Sequence, residues 1–415
     1  MFLVRPTRDA RQPAVFWSLV ASASVGAGIV IALRPGQLAD LHLVRAWVNY
    51  WLTTGGDPYT AYRFQADDPG LGATLDYPPM AFLLLWPLAL LPQAAIASWY
   101  LPIAVVTTCL AEWLLLQWLA GRMGVELSTS HRIALVAIIV AGSGARSALW
   151  RGQTVAIGLF FGALVLQWCR ARPWTAALAL ALCSFKPHLA IGFGLAALFG
   201  GGLRAVVIGL LMAMAGTWMF ALTIGRSLLG IVVDYGHNLA ALYGYRENFR
   251  GRLSIRGVLD QWLPAHPVST VAYVVLALGC IAAIVVLSRR RQRDAVNRLH
   301  TQVACLLWSV VFLPHQTYDT LMLAPALWLL MWPESGLVRS PSLRLAATAA
   351  YVLFGVIDPP RVIRLVAPWV QPDSTDLFYF SYFLNPLRTA MLFVIVLVAL
   401  YRRSQAPVFT PMSGA

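Results

Sequence analysis

Near its start the chain reads AVFWSLVASASVGAGIVIAL over residues 14–33 and then, after a short interval, Ala39-Asp40-Leu41-His42. A helix needs about 20 predominantly apolar residues to cross the hydrocarbon core of a bilayer, and this uncharged run has that length. The sequence therefore predicts a first transmembrane helix with the carboxylate of Asp40 just beyond its end. A catalytic base that works on a membrane-bound substrate could lie there. So could an interfacial acid that caps a helix, because Asp is a favoured N-cap residue.

The whole chain shares this apolar character. It has 415 residues, of which 59% are hydrophobic and 12% are charged, whereas an ordinary soluble domain has about 25% charged residues. We therefore predict an all-α polytopic membrane protein whose residues 1–415 form a single transmembrane domain. About twelve apolar stretches can be taken as spans, namely 14–33, 94–120, 132–145, 153–169, 174–186, 188–202, 204–224, 269–288, 299–313, 320–332, 342–357 and 385–401.

Arginines set the predicted orientation of these spans. With twelve spans, the arginine clusters fall on the side of the N-terminus, which the positive-inside rule makes cytoplasmic. The clustered residues are Arg5, Arg8, Arg11, Arg122, Arg132, Arg170, Arg172, Arg204, Arg289, Arg290, Arg291, Arg293, Arg298, Arg339, Arg344, Arg402 and Arg403. Most acidic residues fall on the opposite side, in three large outer loops at 34–93, 225–268 and 358–384. The net charge of +14 therefore reports topology and contact with anionic lipids, not nucleic-acid binding.

The first outer loop is predicted to contain short helices. In its first part, apolar and polar residues recur with helical spacing, which indicates an amphipathic helix in the membrane interface that ends at Gly55-Gly56. The apolar positions are Leu41, Val44, Val48 and Trp51, and the opposite polar positions are His42, Arg45 and Asn49. After Tyr77-Pro78-Pro79, the apolar run Met80 to Leu91 is interrupted by Pro87. We expect a juxtamembrane or re-entrant helix there instead of a full span.

Three polar breaks between later spans face the same predicted side. They are Arg146 with Arg151-Gly152-Gln153, then Ser184-Phe185-Lys186-Pro187-His188 with the only lysine of the chain, and Pro314-His315-Gln316-Thr317-Tyr318-Asp319. An ionisable group at membrane depth is costly unless it is paired or reaches water. Fixed cations in such breaks suit an anionic lipid head group. The alternative for Lys186 is a snorkelling lysine at a tight helix break, and the alternative for His42 is an ordinary interfacial histidine.

Several short motifs occur in an order that resembles glycosyltransferase family 87. They are Asp40-Leu41 after the first span, Gly55-Gly56-Asp57-Pro58-Tyr59, Tyr77-Pro78-Pro79, Gly152-Gln153 and Lys186-Pro187-His188, followed by the late polar break at His315. Known members of this family include polyprenol-phosphate-mannose-dependent α-mannosyltransferases. The resemblance implies a GT-C fold, in which a membrane-embedded cavity faces the periplasm from a bacterial plasma (inner) membrane.

The resemblance also implies roles for individual residues. Asp40 would be the general base. Lys186, Arg146 and Arg151 would be candidates to bind the phosphate of a polyprenyl-phosphate sugar donor. His188 stands where relatives often carry Gln, and it joins these candidates because it lies beside Lys186 in the same polar break. His315 matches the late motif that contains a histidine. The further site candidates are His42, Tyr77, Gln153, Asp319 and Arg256.

The expected partners are membrane lipids, the lipid-phosphate donor and a glycolipid or glycan acceptor. The donor is a co-substrate, and no metal or other cofactor is expected. The five cysteines lie within predicted spans without CxxC spacing, so they indicate neither a disulfide framework nor a metal site.

The expected chemistry needs few groups. A polyprenyl phosphate is a good leaving group that needs charge stabilisation, and the acceptor hydroxyl needs one base. One carboxylate in a basic cavity therefore suffices for an inverting transfer. A retaining transfer would usually need a second carboxyl group nearby, for which Asp76 and Asp319 are the candidates. The alternative functions are a transporter or lipid flippase, which would show inverted repeats, and a non-catalytic scaffold of the same descent.

Overall fold

The computed structural model describes residues 38–61, 77–140, 142–244, 254–262, 266–289, 294–338, 340–356 and 375–405. Within these ranges the protein is built from helices and contains no β-strand. The predicted first span at 14–33 and the candidate acid Asp76 lie outside the described residues. The all-α class is therefore confirmed for the part of the chain that can be described.

The α-helices are numbered here in chain order. They are α1 Ala39–Thr54, α2 Pro58–Ala61, α3 Pro79–Leu85, α4 Pro87–Leu90, α5 Gln93–Met123, α6 Thr129–Val140, α7 Ser143–Arg151, α8 Val155–Trp168, α9 Pro173–Cys183, α10 Pro187–Phe199, α11 Leu203–Thr223, α12 Leu228–Gly244, α13 Arg256–Trp262, α14 His266–Arg289, α15 Ala295–Phe312, α16 Ala324–Met331, α17 Pro341–Val356 and α18 Thr375–Gln405. A 3₁₀ helix, Thr317–Leu323, connects α15 with α16.

Among the described residues, three helical segments are long and apolar enough to cross a membrane. They are Ser98–Met123 in α5, Leu203–Thr223, which is α11, and Pro267–Arg289 in α14. The apolar helices α8, α9 and α10 have only 14, 11 and 13 residues. At 1.5 Å per residue, each is shorter than the roughly 30 Å hydrocarbon core. A helical membrane protein is thus confirmed, while the predicted number of twelve spans is not.

The predicted amphipathic helix forms as α1. It ends where Gly55 adopts the left-handed conformation, at φ 66°, and donates its N–H to the carbonyl of Trp51. The apolar face of an interfacial helix would lie in lipid, but here protein elements cover it. Trp47 is 1% exposed, and Trp51 packs against Phe82 of α3 and Phe220 of α11. This packing fixes α1, and with it Asp40, against the helix bundle.

The predicted outer loops contain helices, of which those in the first loop were predicted and those in the second were not. The run after Tyr77 forms α3 and α4, which Pro87 separates as predicted. The seven residues of α3 rise only about 10 Å, so this helix does not span a membrane. In the predicted outer loop 225–268, α12 and α13 are helical, and the sequence analysis did not predict them. The third outer loop, 358–384, can be described only from Thr375, which already belongs to α18.

Polar and basic residues gather at opposite ends of the helices. At one end, the starts of α1, α8 and α10 bring Asp40, Gln153 and Lys186 together. At the far end of α8, about 21 Å away along its 14 residues, Arg170 lies near Arg122. Between the ends, α8 and α10 approach closely, because a Cβ at Gly162 would come within 2.2 Å of the ring of Phe193. The close packing of these helices holds the polar ends side by side.

Candidate active site

The position of Asp40 depends on a contact between the start of α1 and the end of α7. Leu38, the N-cap residue of α1, adopts a left-handed φ of 72° and donates its N–H to the carbonyl of Trp150 at 3.1 Å. Gly152 follows α7 at φ 73°, so close that a Cβ there would lie 2.7 Å from the Cβ of Leu41. Asp40 is therefore not the N-cap residue. Its carboxylate lies in the first helical turn, where the helix dipole stabilises a negative charge.

A single glutamine side chain joins Asp40 to Lys186. Gln153 Nε2 donates a hydrogen bond to Asp40 Oδ2, and Lys186 Nζ donates one to Gln153 Oε1 at 3.0 Å. Only one orientation of the amide presents N–H to a carboxylate and oxygen to an ammonium group. The two charges thus fix the orientation of Gln153, and Gln153 holds the two charges at opposite ends of one amide group.

The main chain of Gln153 is also held in place. Its N–H donates to the carbonyl of Ala148 at 2.8 Å, and its own carbonyl accepts from the hydroxyl of Tyr100 at 2.6 Å. The side chain of Gln153 is buried, as is Tyr100. Because both the main chain and the side chain have partners, Gln153 is a rigid link between α1 and the start of α10.

Lys186 is buried although it carries a charge. It is 3% exposed and forms the N-cap of α10, whose first residue, Pro187, has the φ that a helix start requires. Its Nζ lies 4.4 Å from the centroid of the Tyr77 ring, a cation–π contact that partly replaces water. The hydroxyl of Tyr77 in turn shares a hydrogen bond of 2.9 Å with Thr154. Lys186 is therefore not a snorkelling lysine at a surface break.

The Asp57-Pro58-Tyr59 motif of the first outer loop fixes the main chain of Tyr77. Tyr59 donates its hydroxyl to the carbonyl of Tyr77 at 2.6 Å. Asp57 accepts the N–H of Tyr59 at 2.9 Å, which is the Asx-turn that an Asp-Pro-Tyr segment favours. Asn238 of α12 donates to the carbonyl of Tyr59 at 3.2 Å. Both tyrosine motifs thus serve to position the ring on which Lys186 lies.

Three further candidates form a second cluster. Asp319 Oδ2 lies 3.2 Å from Nδ1 of His315 and 3.6 Å from Nε2 of His188. The two imidazole rings meet edge to face with centroids 4.5 Å apart. Asp319 Oδ2 also accepts the N–H of Gln316 at 2.8 Å, which closes a capping box at the start of the 3₁₀ helix. His315 and Asp319 are fully buried, and His188 is half-buried.

The electrostatics connect this cluster with Lys186. Burial lowers the pKa of His315 to about 4, and the neighbouring charges of His188 and Lys186 act in the same direction, while Asp319 opposes them. His315 is therefore a neutral imidazole near neutral pH. Lys186 stands two residues before His188, and its charge also lowers the pKa of His315, so we treat the two clusters as one polar region.

The remaining candidates lie around this region without a described contact to Asp40. Arg146 and Arg151 are exposed side chains of α7. His42 is half-buried, and its position two residues after Asp40 directs it about 200° away around the helix. Arg256 pairs with Asp260 at 3.6 Å and lies over the ring of Tyr273.

Three residues that hold the site together were not among the sequence candidates. Thr154 follows Gly152-Gln153 directly, so its position next to a motif was the signal that could have found it. Asn238 stands in the predicted outer loop 225–268, and its role depends on α12, which was not predicted. Tyr100 lies inside a predicted span, where a tyrosine gives no signal of its own.

Comparison with known proteins gives one match. The family model described as glycosyltransferase family 87 matches residues 75–314, more than half of the chain. The matched range includes Tyr77, Gln153, Lys186 and His188, whereas Asp40 precedes it and His315 follows it directly. No curated protein and no solved structure matches the chain.

Proposed function

The chain belongs to glycosyltransferase family 87, and from this premise we propose that it moves a sugar, with mannose as the first choice, from a polyprenyl-phosphate donor to a lipid-linked or glycan acceptor. Membership in a glycosyltransferase family favours this activity over the transporter or flippase alternative. The proposed location is the plasma (inner) membrane of a bacterium, with the active site toward the periplasm. The separation of the basic end of the bundle from the polar end supports this orientation.

The observation that carries the proposal is the hydrogen-bonded chain Asp40–Gln153–Lys186. Transfer from a lipid phosphate needs a base for the acceptor hydroxyl and a cation for the departing phosphate. These two groups must lie close together but must not neutralise each other. An amide between a carboxylate and an ammonium group meets both conditions, because each charge keeps a polar partner and remains distinct from the other.

In the proposed reaction Asp40 accepts the proton of the acceptor hydroxyl while that oxygen attacks the anomeric carbon of the donor sugar. The bond between this carbon and the phosphate oxygen breaks, and the polyprenyl phosphate leaves with the electron pair. Lys186 stabilises the developing negative charge, and the exposed Arg146 and Arg151 are candidates for the outer phosphate oxygens. His188 borders the same position. A single displacement of this kind inverts the configuration of the sugar.

The test is the variant Asp40→Asn, which keeps size and polarity but cannot accept a proton. The substrates are radiolabelled polyprenyl-phosphate mannose and a lipid extract from host cells that lack the protein. Loss of a general base typically lowers a rate by about 10²–10⁴-fold, so we expect a loss of that size. Retention of the donor lipid on the purified variant should be unchanged, because the base contacts the acceptor.

The matched control is Asp234→Asn, which removes a carboxylate from an exposed ion pair with Arg226. Surface pairs contribute only about 0–1 kcal/mol, so this variant should transfer sugar at the rate of the unmodified protein. If Asp40→Asn keeps full activity, Asp40 is not the base.

A further inference from the structure

The polar region contains a group of side chains whose arrangement the proposed sugar transfer does not explain. His188 lies at the start of α10, and His315 and Asp319 lie four residues apart between α15 and α16. Each offers one ligand atom, and these atoms all lie within 4.8 Å of one another. His188 lies more than a hundred residues before the other two, so the three form no spacing motif from which a metal site could have been predicted.

The distances match the edges of a small coordination polyhedron. Asp319 Oδ2 is 3.2 Å from one imidazole nitrogen and 3.6 Å from the other. Ligand atoms bound at about 2.0–2.1 Å around a tetrahedral zinc ion are on the order of 3.3 Å apart. Asp319 Oδ2 is therefore about as far from each imidazole nitrogen as two ligand atoms around one ion would be, and all three ligand atoms lie within 4.8 Å of one another.

Part of the bonding capacity of the cluster is unused. Nδ1 of His315 and Nε2 of His188 lie within ion-pair distance of Asp319 Oδ2, and this oxygen also accepts the N–H of Gln316. Nε2 of His315 and Oδ1 of Asp319 have no hydrogen-bond partner among the described residues, although both residues are 0% exposed. Buried polar groups normally have partners, and leaving them without any costs stability. Buried ligand atoms with unused capacity, gathered in one place, indicate that a small species belongs there.

An anion does not fit this point. The carboxylate of Asp319 would repel a phosphate group, and the complete burial of His315 leaves no access for a group of that size.

We propose that His188, His315 and Asp319 bind a divalent transition-metal ion, for which Zn²⁺ is the best chemical match. Two imidazoles with one carboxylate suit zinc, whereas magnesium prefers oxygen ligands alone. Three protein ligands leave a fourth position open, as in zinc sites that bind a water molecule or substrate. That position opens at His188, whose side chain is 14% exposed and which stands two residues from Lys186. The N–H of Gln316 donates a hydrogen bond to the carboxylate of Asp319 and orients it. Hydrogen bonds to metal ligands commonly have this role.

Metal binding can be measured without any sugar substrate, so it stands or falls separately from the proposed activity. The full-length protein is purified in lipid nanodiscs, stripped with a chelator and titrated with Zn²⁺ and with Co²⁺. We expect one tightly bound ion per chain by mass spectrometry of the metal content. We also expect the visible absorption of four-coordinate Co²⁺ without a thiolate charge-transfer band, since no cysteine belongs to the cluster.

The variants His315→Gln and Asp319→Asn each remove one ligand while keeping a similar volume. Loss even of a supporting group around a metal typically weakens binding 10–100-fold, so we expect at least that loss of Co²⁺ affinity. The matched control is His300→Gln, because His300 is also a fully buried histidine with two unpartnered nitrogens, but it lies in α15 outside the cluster. It should bind the ion as the unmodified protein does.

Two results would overturn the proposal. One is an unmodified protein that takes up no stoichiometric ion and gives no four-coordinate Co²⁺ spectrum, a measurement that needs no variant to fold. The other is unchanged Co²⁺ affinity in folded His315→Gln and Asp319→Asn. A third contradictory result would be a His300→Gln variant that loses as much Co²⁺ affinity as the two ligand variants. The loss would then follow from changing any buried histidine.

Discussion

At the level of single residues, Gln153 explains how one buried region can hold opposite charges ready for two substrates. A carboxylate and an ammonium group in direct contact would neutralise each other, and a buried pair of that kind is hard to separate. Gln153 donates to Asp40 and accepts from Lys186, so each charge is stabilised by a neutral dipole. When substrates arrive, each charged group can exchange part of this stabilisation for a new contact without leaving a bare partner.

We therefore predict that Gln153→Leu, which keeps the volume but removes both hydrogen bonds, lowers kcat/KM for sugar transfer by roughly 10- to 150-fold. This range corresponds to the loss of one hydrogen bond to a charged group, about 1.5–3 kcal/mol. Steady-state rates with the labelled donor measure the effect. Because Asp40 and Lys186 can then approach each other, the KM for the donor should rise and kcat should fall.

The control is a second buried glutamine at a distance from the site. Gln302 of α15 donates to the carbonyl of Ala196, near the far end of α10, at 3.0 Å. Gln302→Leu loses a buried hydrogen bond too, so it should lower the thermal stability. Its kcat/KM should nevertheless stay unchanged below the unfolding temperature. Equal losses of activity in the two variants would show that Gln153 matters only for folding.

At the level of helices, the site depends on how closely the end of α7 approaches the start of α1. Gly152 makes this approach possible in two ways. It adopts a left-handed φ of 73°, and it lacks the Cβ that would overlap Leu41. Because Asp40 belongs to α1 and Gln153 follows Gly152 directly, any displacement of one helix from the other lengthens the hydrogen bond between the two side chains.

We predict that Gly152→Ala destabilises the protein and reduces sugar transfer together. A left-handed non-glycine residue costs roughly 1–2 kcal/mol, and overpacking typically adds about 1–3 kcal/mol. Thermal unfolding in nanodiscs measures the first effect, and the transfer rate at a temperature where the variant is folded measures the second.

Gly124, at the end of α5, separates these two causes. It also has a left-handed φ, of 67°, but a Cβ there meets nothing within 4 Å. Gly124→Ala should therefore lose only the conformational part of the stability and should keep its activity. If Gly152→Ala behaves like Gly124→Ala in both measurements, the approach of α7 to α1 does not control the site.

The same contact explains which parts of the site could be predicted from the sequence. Asp40, Gln153, Lys186 and Tyr77 are polar residues next to apolar runs, and such residues are conspicuous in a membrane protein. That Gln153 links Asp40 with Lys186 could not be predicted, because the link depends on the close approach at Gly152, and no pattern of hydrophobic residues encodes that distance.

Other features could not be predicted from the sequence, for different physical reasons. Charge alone singled out Arg146 and Arg151, and charge does not say which face of α7 carries them. The structure leaves both side chains exposed, and their contact with a donor phosphate stays a prediction. The helix α12 was missed because polar residues such as Asn238 interrupt its apolar positions, and Asn238 is polar because it holds the carbonyl of Tyr59. The predicted number of twelve spans is not confirmed, because short apolar helices such as α9, with 11 residues, have the composition of a span but not its length.

At the level of the whole molecule, the helices differ in what surrounds them. The helices α5, α11 and α14 each contain an 18-residue apolar stretch long enough to cross a membrane. Of this stretch, 61% is buried inside the protein in α5, whereas 22% is buried in α11 and only 6% in α14. The exposed faces of α11 and α14 carry large apolar side chains, such as Leu210, Trp218 and Val275. A helix that is apolar on its exposed faces needs an apolar surrounding, so α11 and α14 form the lipid-facing side of the bundle and α5 forms its centre.

The two ends of this bundle differ in charge, and that difference makes the orientation testable. Ser227, beside the start of α12, belongs to the predicted outer loops, and Ala171 lies between Arg170 and Arg172 at the basic end; both are exposed. In a variant without native cysteines, Ser227→Cys should react with a membrane-impermeant maleimide in intact cells, because positive loops stay in the cytoplasm. Ala171→Cys should react only after permeabilisation, which serves as its own control. Labelling of Ala171→Cys in intact cells would show that the orientation is the reverse of the predicted one. Asp40 and Lys186 would then face the cytoplasm, and a donor presented at the periplasmic surface could not reach them.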